Sequence, residues 1–532
     1  MTQVRTPKVT TNVSGAITNV GNVPQRILVV SQLTTAGTAV AGDLNENIEE
    51  NADTLAGITS LGAEIVRAVR RVNEESQVDA IFLDEAGGGA AATGIVDFTG
   101  STATEAGTLT VIIGSAKQHA LSVAIASGDT ATAIGDTLVT AIAADTTILV
   151  TSVNTTGSVA LTATNKGEVS NEIALEVVGA VAGVTVALTA MASGATDPVF
   201  TGVFDVIDDE RYQTILWTWA SDVAPLTTLV DSRINSTNAV LDGLGFVGKM
   251  DTLSNHTTTI GLLNSVIVYT AEKTESLTAL TGPAAVELPA VISAYTGALR
   301  ALKLTENASI ADINAGTSGS DGTGGPALAS RPLFNTPIFP MSPFKKGRGW
   351  SRLDVDALNL VGGSIITNNS KANQIALGEV FTTRLLSGGN PDDTFKFASF
   401  FDTSMNIREF IDSNLRARYS QTRMTDGDLV PGRPMVNPEQ FTAAIIELYT
   451  TLTGPDFALA RGGETNLQFV KSPDNLIVAF NLLTGTITWS VKIPIVTQVR
   501  VINGAIEIVF AVVAGVIGED EDEENPEDPE EL

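Results

Sequence analysis

No cysteine occurs among the 532 residues, which excludes disulfides and any thiolate-held metal. There are two histidines, His119 and His256, too few for a histidine metal centre. Each fits packing or the surface better than service as a lone catalytic base. Aromatic residues make up 5% of the chain, so its cores rest on small and β-branched side chains. Gly, Ala, Thr and Val are abundant, a mix that favours β-rich packing. Positive charge is scarce: 31 basic residues stand against 60 acidic ones, for a net charge of −29. A body this acidic repels nucleic-acid phosphates and anionic membrane surfaces. Long apolar runs are missing too. "IVFAVVAGVIG" follows Glu507 closely and is too short to span a bilayer. "MTQVRTPKVT" has no apolar stretch of the kind a signal peptide needs. The expectation is a protein with no nucleic-acid partner and no membrane insertion, made and assembled in a cytoplasm.

Motifs that carry chemistry are also lacking. "DGTGGP" is rich in glycine but does not sit between a strand and a helix, so it reads as a linker and not as a phosphate loop. "ILVVSQLTTAGTA" follows a strand as a nucleotide loop does. It lacks the G-x-G-x-x-G spacing and any basic partner for a phosphate. No G-x-S-x-G elbow occurs. Asp205, Asp208, Asp209 and Glu210 crowd carboxylates together, but without the glycine and alternating ligands of a calcium loop. A solvated turn is the simpler reading. The expectation is a protein that is not an enzyme, with no catalytic residue, no cofactor and no metal.

What is present is 43% apolar residues, enough for several cores, in a length that suggests three or four domains at ~150 residues each. Residues 1–22 are polar, rich in Thr and Val and without helical period, as an extended arm would be. "VPQRILVVSQ" is a strand whose continuous apolar run suits burial on both faces. In "SLGAEIVRAVRRVNEE", Leu61, Ile65, Ala68, Val69 and Val72 share one helical face. "VDAIFL" follows as a second strand, so residues 23–96 form a βα unit. Residues 97–198 read as a small inserted β-rich domain. Between Phe98 and Phe200 there is no aromatic and no Arg, and "GTLTVIIG", "ALSVAIA", "TILVTSV", "SVALTAT" and "EIALEVV" are short strands. "DTATAIGDTLVTAIAAD" is a helix capped by Asp129 or Thr130. Residues 199–345 resume an α/β pattern with the core strands "RYQTILWTW" and "SVIVYTA", and include the glycine-rich loop "NAGTSGSDGTGGPALASRP", which ends at Pro332.

Residues 346–497 carry stronger helix signals. Asp392 or Asp393 caps a helix with Phe397, Phe400, Phe401, Ile407, Phe410, Ile411 and Leu415 on one face. Asn437, Pro438 and Gln440 open another in the manner of a capping box. "TNLQFVKS", "NLIVAFNLL" and "TITWSVKIPIVTQVRVI" read as strands. Residues 498–517 alternate like a strand, with a hairpin signal at Asn503-Gly504. Residues 518–532 include "EDEDEENPEDPEEL", a self-repelling acidic tail that cannot bury apolar surface.

The ordered set "VPQRILVVSQ … GTA", then "SLGAEIVRAVRRVNEESQVDAIFLDEAGGGAAATGIVDFTGSTATEAGTLTVIIG", resembles the front half of contractile phage tail sheath proteins of the Mu-like type. Later, "NLRARYSQTRMTDGDLVPGRPMVNPEQFTAAIIELY" is similar to the helix, loop and helix of the sheath core. The middle, roughly 250–345, matches poorly. The acidic tail departs from the family's usual ending. The resemblance implies an α+β, multidomain fold, with a mixed α/β sheath core, an inserted outer β-rich domain and strand-forming terminal arms. It implies a structural subunit that assembles with itself as hexameric rings in a helical stack. Its partners are a tail tube protein, a baseplate and a tail terminator, and its place is the virion tail. Terminal arms in such subunits add strands to a neighbour's sheet. The candidate arm residues are Val9, Val13, Ile17, Val499, Val501, Ile506 and Ile508. Arg416, Arg418 and Arg423 gather positive charge beside an amphipathic helix and are candidates to face the tube, or else pair with nearby carboxylates. The same composition also suits another self-assembling structural protein, such as a baseplate or surface-layer component.

Overall fold

The computed structural model describes residues 25–234, 241–274, 286–305, 333–343, 348–369, 374–392, 394–430, 432–454 and 460–495. Strand β1 (Arg26–Gln32) is buried from Ile27 onward, as an apolar run without alternation requires. After β2 (Leu44–Asn45) and α1 (Ala52–Ala56), helix α2 (Leu61–Val72) begins where Ser60 accepts from the Ala63 N–H. It buries Leu61, Ile65, Ala68 and Val69, while Val72 is half-buried. Strand β3 (Gln77–Leu83) returns parallel to β1, completing the expected βα unit.

The chain then builds antiparallel sheets. In order come β4 (Ala91–Asp97), β5 (Gly107–Ile113), β6 (Ala120–Ile125), α3 (Ala131–Ala144), β7 (Val150–Thr155), β8 (Ser158–Lys166), β9 (Leu175–Val178) and β10 (Ala187–Ala192). One sheet has the order β10-β4-β8-β7, the other β6-β5-β9. Thr130 caps α3, its side chain accepting from the Ala133 N–H. The strand expected at "EIALEVV" is shorter, because Glu168–Glu172 is a 3-10 turn. There the Ser170 hydroxyl donates to the Gly167 carbonyl and accepts from the Ala92 N–H, local bonding that competes with a strand ladder. These sheets share a continuous hydrophobic cluster with the βα unit: Val96, Val111, Leu138 and Leu161 belong to the cluster that holds Ile27 and Ile65. Asn165 ties the two, accepting from the Leu61 N–H at 2.7 Å and donating to the Leu33 carbonyl at 3.0 Å.

The parallel sheet resumes with β11 (Thr214–Trp217), α4 (Ala224–Arg233), β12 (Leu244–Asp251), α5 (Leu253–Leu262), β13 (Ile267–Lys273), α6 (Pro289–Thr305), α7 (Arg352–Leu360) and β14 (Gly363–Ser364). Its order is β14-β13-β12-β11-β1-β3-β2. Every pairing is parallel except that of β2. Helix α6 packs across β11, β12 and β13 and against α2. Neither β12 nor α6 is among the elements read from the sequence.

Two short antiparallel pairs follow: β15 (Ile366–Asn369) with β16 (Gln374–Leu377), and β17 (Leu386–Ser387) with β18 (Asn390–Pro391). Helix α8 (Ala398–Tyr419) starts later than expected, with no side-chain cap at Phe397. Asp392 instead accepts from the Thr394 N–H at 2.9 Å and closes a local turn, and Asp393 lies outside the described residues. β19 (Arg423–Met424) pairs in parallel with β20 (Met435–Val436). Helix α9 (Pro438–Leu452) opens as expected, Asn437 accepting from the Gln440 N–H at 2.9 Å. "TNLQFVKS" is not a strand but helix α10 (Glu464–Lys471). Gly463, at φ 96°, turns the chain into it. Val470 is its buried residue, with Leu467 three positions earlier packed beside the same cluster, a helical spacing. The chain closes in an antiparallel hairpin, β21 (Leu476–Asn481) and β22 (Thr486–Val491).

Helix α8 joins two hydrophobic clusters. Its first turns, with Phe401 and Met405, belong to the large one. Ile407, Phe410, Ile411 and Leu415 belong to a second, shared with α9 and the β21–β22 hairpin. At about 33 Å for its length, it is a strut between them. Near its start Asp402 accepts from Arg300 of α6 at 2.9 Å, and Arg300 also donates to the Gln213 carbonyl and the Thr214 hydroxyl. Both charged side chains are 1% exposed.

Candidate functional site

The exposed end of α8 carries the arginines singled out from the sequence. Arg416 donates to Asp412 at 2.6 Å, one turn back. Arg418 grips Glu447 of α9 with both terminal nitrogens, at 2.7 and 3.1 Å, and holds that carboxyl below the usual range. Arg423 is exposed on β19. Arg416 and Arg418 are therefore paired within the chain, through contacts that solvent screens. All three remain at the surface, where a partner's charges can compete for them.

The β21–β22 hairpin is the second surface element. Val478, Phe480, Ile487, Trp489 and Val491 pack toward the second cluster, and Ile477 on the opposite face is 55% exposed. Among the described residues the two strands pair with each other alone, and a two-stranded sheet presents outer edges of the kind that accept an added strand. The candidate arm residues Val9, Val13, Ile17, Val499, Val501, Ile506 and Ile508, the Asn503-Gly504 hairpin signal and the acidic tail all lie outside the described residues.

Groups suited to chemistry are occupied structurally. His119 is buried, with Nδ1 2.6 Å from Asp145. His256 is buried against Tyr269 and Trp350, with Nε2 2.9 Å from the Glu272 carbonyl, and burial lowers its pKa. The parallel sheet reverses its strand order between β1 and β11, where doubly wound sheets commonly bind ligands. The polar side chains of Ser31 and Gln32 at the end of β1 are fully buried here. Asp205, Asp208, Asp209 and Glu210 are exposed. Among the described residues no three His, Cys, Asp or Glu side chains are grouped to hold a metal ion. No described helix is long and apolar enough to cross a membrane.

Sequence reasoning missed the seam between the antiparallel sheets and the parallel core. Glu287, just before α6, is 4% exposed and accepts from the Ser115 hydroxyl at 3.0 Å. Burial pushes its carboxyl up to about 8. Beside it the Ala116 N–H donates to the Val286 carbonyl at 2.8 Å. The partners are far apart in the chain, so no local pattern announces them.

Comparison with known proteins supplies what this geometry does not. The chain is 25% identical over 439 residues to the Mu-like prophage FluMu tail sheath protein of Haemophilus influenzae, covering 80% of this chain and 82% of that protein. The resemblance to Mu-like tail sheath proteins thus has a curated counterpart across most of the chain. Among solved structures, a sheath tail protein of Listeria innocua matches at a TM-score of 0.41 and 12% identity, over 90% of this chain and 94% of that one. A sheath tail protein of Desulfitobacterium hafniense matches at 0.42 and 10% identity, over 91% and 100%. The baseplate of the anti-feeding prophage gives 0.43 and 10%, over 96% and 100%. No family model matches the chain.

Proposed function

We propose that this chain is a structural subunit of a contractile tail sheath. Subunits form hexameric rings stacked around a tail tube, and contraction of the stack drives the tube through the envelope of a host cell. The observation that carries this reading is the match to a Mu-like tail sheath protein across four-fifths of both chains. In this reading no substrate is turned over and no cofactor is needed. The work comes from subunit contacts that are better satisfied in the contracted lattice than in the extended one.

Two structural features support the assignment. Helix α8 couples two hydrophobic clusters, so a load on one is carried to the other. The hairpin's outer edges suit strand addition by arms from neighbours, taken as residues 1–20 and 498–514. In the same reading residues 97–198 form an outer domain away from the tube. Arg416, Arg418 and Arg423 face the tube, the baseplate and terminator close the stack, and the acidic tail keeps free subunits apart by repulsion.

The test is truncation. Full-length protein is expected to sediment as polymers. Chains lacking either arm are expected to sediment as monomers with nearly unchanged melting temperature. An armless chain that still builds normal tubes would contradict the linkage.

A further inference from the structure

A groove of 1010 Å³ runs along α4, between that helix and residues 197–209. Pro225, Thr228, Leu229, Ser232 and Arg233 line it from the helix, at the 3-, 4-, 7- and 8-residue spacing of one helical face. Part of the wall is apolar: Phe200 and Phe204 pack on Trp217, with ring centroids 5.1 and 5.7 Å apart from it. The rim is acidic, with Asp197, Asp205, Asp208, Asp209 and Asp222. Arg233 sits among these carboxylates, its guanidinium donating to the backbone carbonyls of Asp208 and Glu210.

The chain enters the fold beside this rim. Arg26 of β1 is ion-paired with Asp79 and with Glu210, the residue next to Asp209. The preceding residues 1–24 contain Arg5 and Lys8 and not a single carboxylate, in a protein of net charge −29. Val4 and Val9 flank the two cations.

We propose that in the unassembled subunit this groove holds the chain's own segment Val4–Val9, with Arg5 and Lys8 against the acidic rim and the valines on the Phe200–Phe204 wall. The dimensions agree. α4 is about 15 Å long, and an extended six-residue segment spans about 20 Å. Residues 10–25 reach about 50 Å when extended, more than enough to turn back from Arg26. The tether makes binding intramolecular, so weak contacts suffice. The proposal does not rest on the sheath reading. Within that reading, it means the arm is held back until a neighbour's sheet takes it.

Absence of native cysteine makes engineered pairs unambiguous. Thr6→Cys is combined with Thr228→Cys in the groove or with Thr488→Cys on exposed β22, and disulfide formation is followed in dilute full-length protein before assembly. The 6–228 pair is expected to close within one chain about tenfold faster than the 6–488 pair, at a rate independent of protein concentration. Salt of about 1 M, or Asp208→Asn with Asp209→Asn, is expected to slow closure severalfold. Equal rates for the two pairs, disulfides formed only between chains, or closure indifferent to salt and to the aspartates would each overturn the proposal. Because it is read on unassembled chains, the result is independent of whether tubes form.

Discussion

The seven-stranded sheet buries Phe82, Trp217, Phe246 and Tyr269, whereas the antiparallel sheets beside it rest on small and aliphatic side chains, and the two hide their apolar residues differently. β1 and β3 are buried at every position after the first. β6 alternates exposed and buried residues along its length, and β8 nearly so. The first pattern is what helices on both faces of a parallel sheet demand, and the second is what a sheet with one wet face allows. The contrast teaches where the chain tolerates change. In β1 two adjacent positions are both core, whereas in β6 one of any adjacent pair is free.

The sharpest break of this contrast is at the buried pair that anchors α8 to the parallel core. Asp402→Ala leaves Arg300 charged without its partner and is expected to cost about 3–5 kcal/mol, read from the urea midpoint at constant slope. A loss of a few tenths would mean that water reaches the site. Next, Ile27→Ala and Leu28→Ala, neighbours on opposite faces of β1, are each expected to lose about 2–5 kcal/mol. In β6, Leu121→Ala falls in that range, while Ser122→Ala stays within about 0.5 kcal/mol. Equal costs at Leu121 and Ser122 would erase the distinction between the sheets.

A smaller effect is expected at the seam. The Glu287 carboxyl, ordinarily near 4.5, is raised by burial to about 8. Between those values the folded protein holds a proton that the unfolded chain has released, so stability is fully present below about 4.5 and falls as pH rises toward 8. Glu287→Gln should flatten that part of the profile and raise stability on the order of 1–2 kcal/mol near pH 8. An unchanged slope would show that Glu287 is ionised in the fold. The smallest change is expected for Arg418→Ala, whose exposed pair with Glu447 is worth about 0.2–1 kcal/mol. Its melting temperature should barely move.

The parts legible in the sequence were those with a local cause. The β1 apolar run, the Thr130 cap, the α2 stripe and the Asn437-Pro438 start each declare themselves within a few residues. Where competing signals overlap, reading failed. In "TNLQFVKS" Leu467 and Phe469 alternate like a strand, yet Leu467 and Val470 share a helical face and the burial of Val470 decides the outcome. Asp392 looked like a cap but closes its own turn with Thr394. Of the candidate sites, the arginines of α8 were visible as a cluster of charge, but their partner Glu447 is 29 residues from Arg418 and belongs to another helix. The groove along α4 had no signal beyond its aspartates, because its walls come from distant segments.

The central claim is that this chain builds a sheath, and the most direct measurement is electron microscopy of purified full-length protein in negative stain. Hollow cylinders of stacked rings, with a bore wide enough for a tube, are the predicted result. Discrete globular particles at every concentration and salt, or a planar lattice, would contradict it.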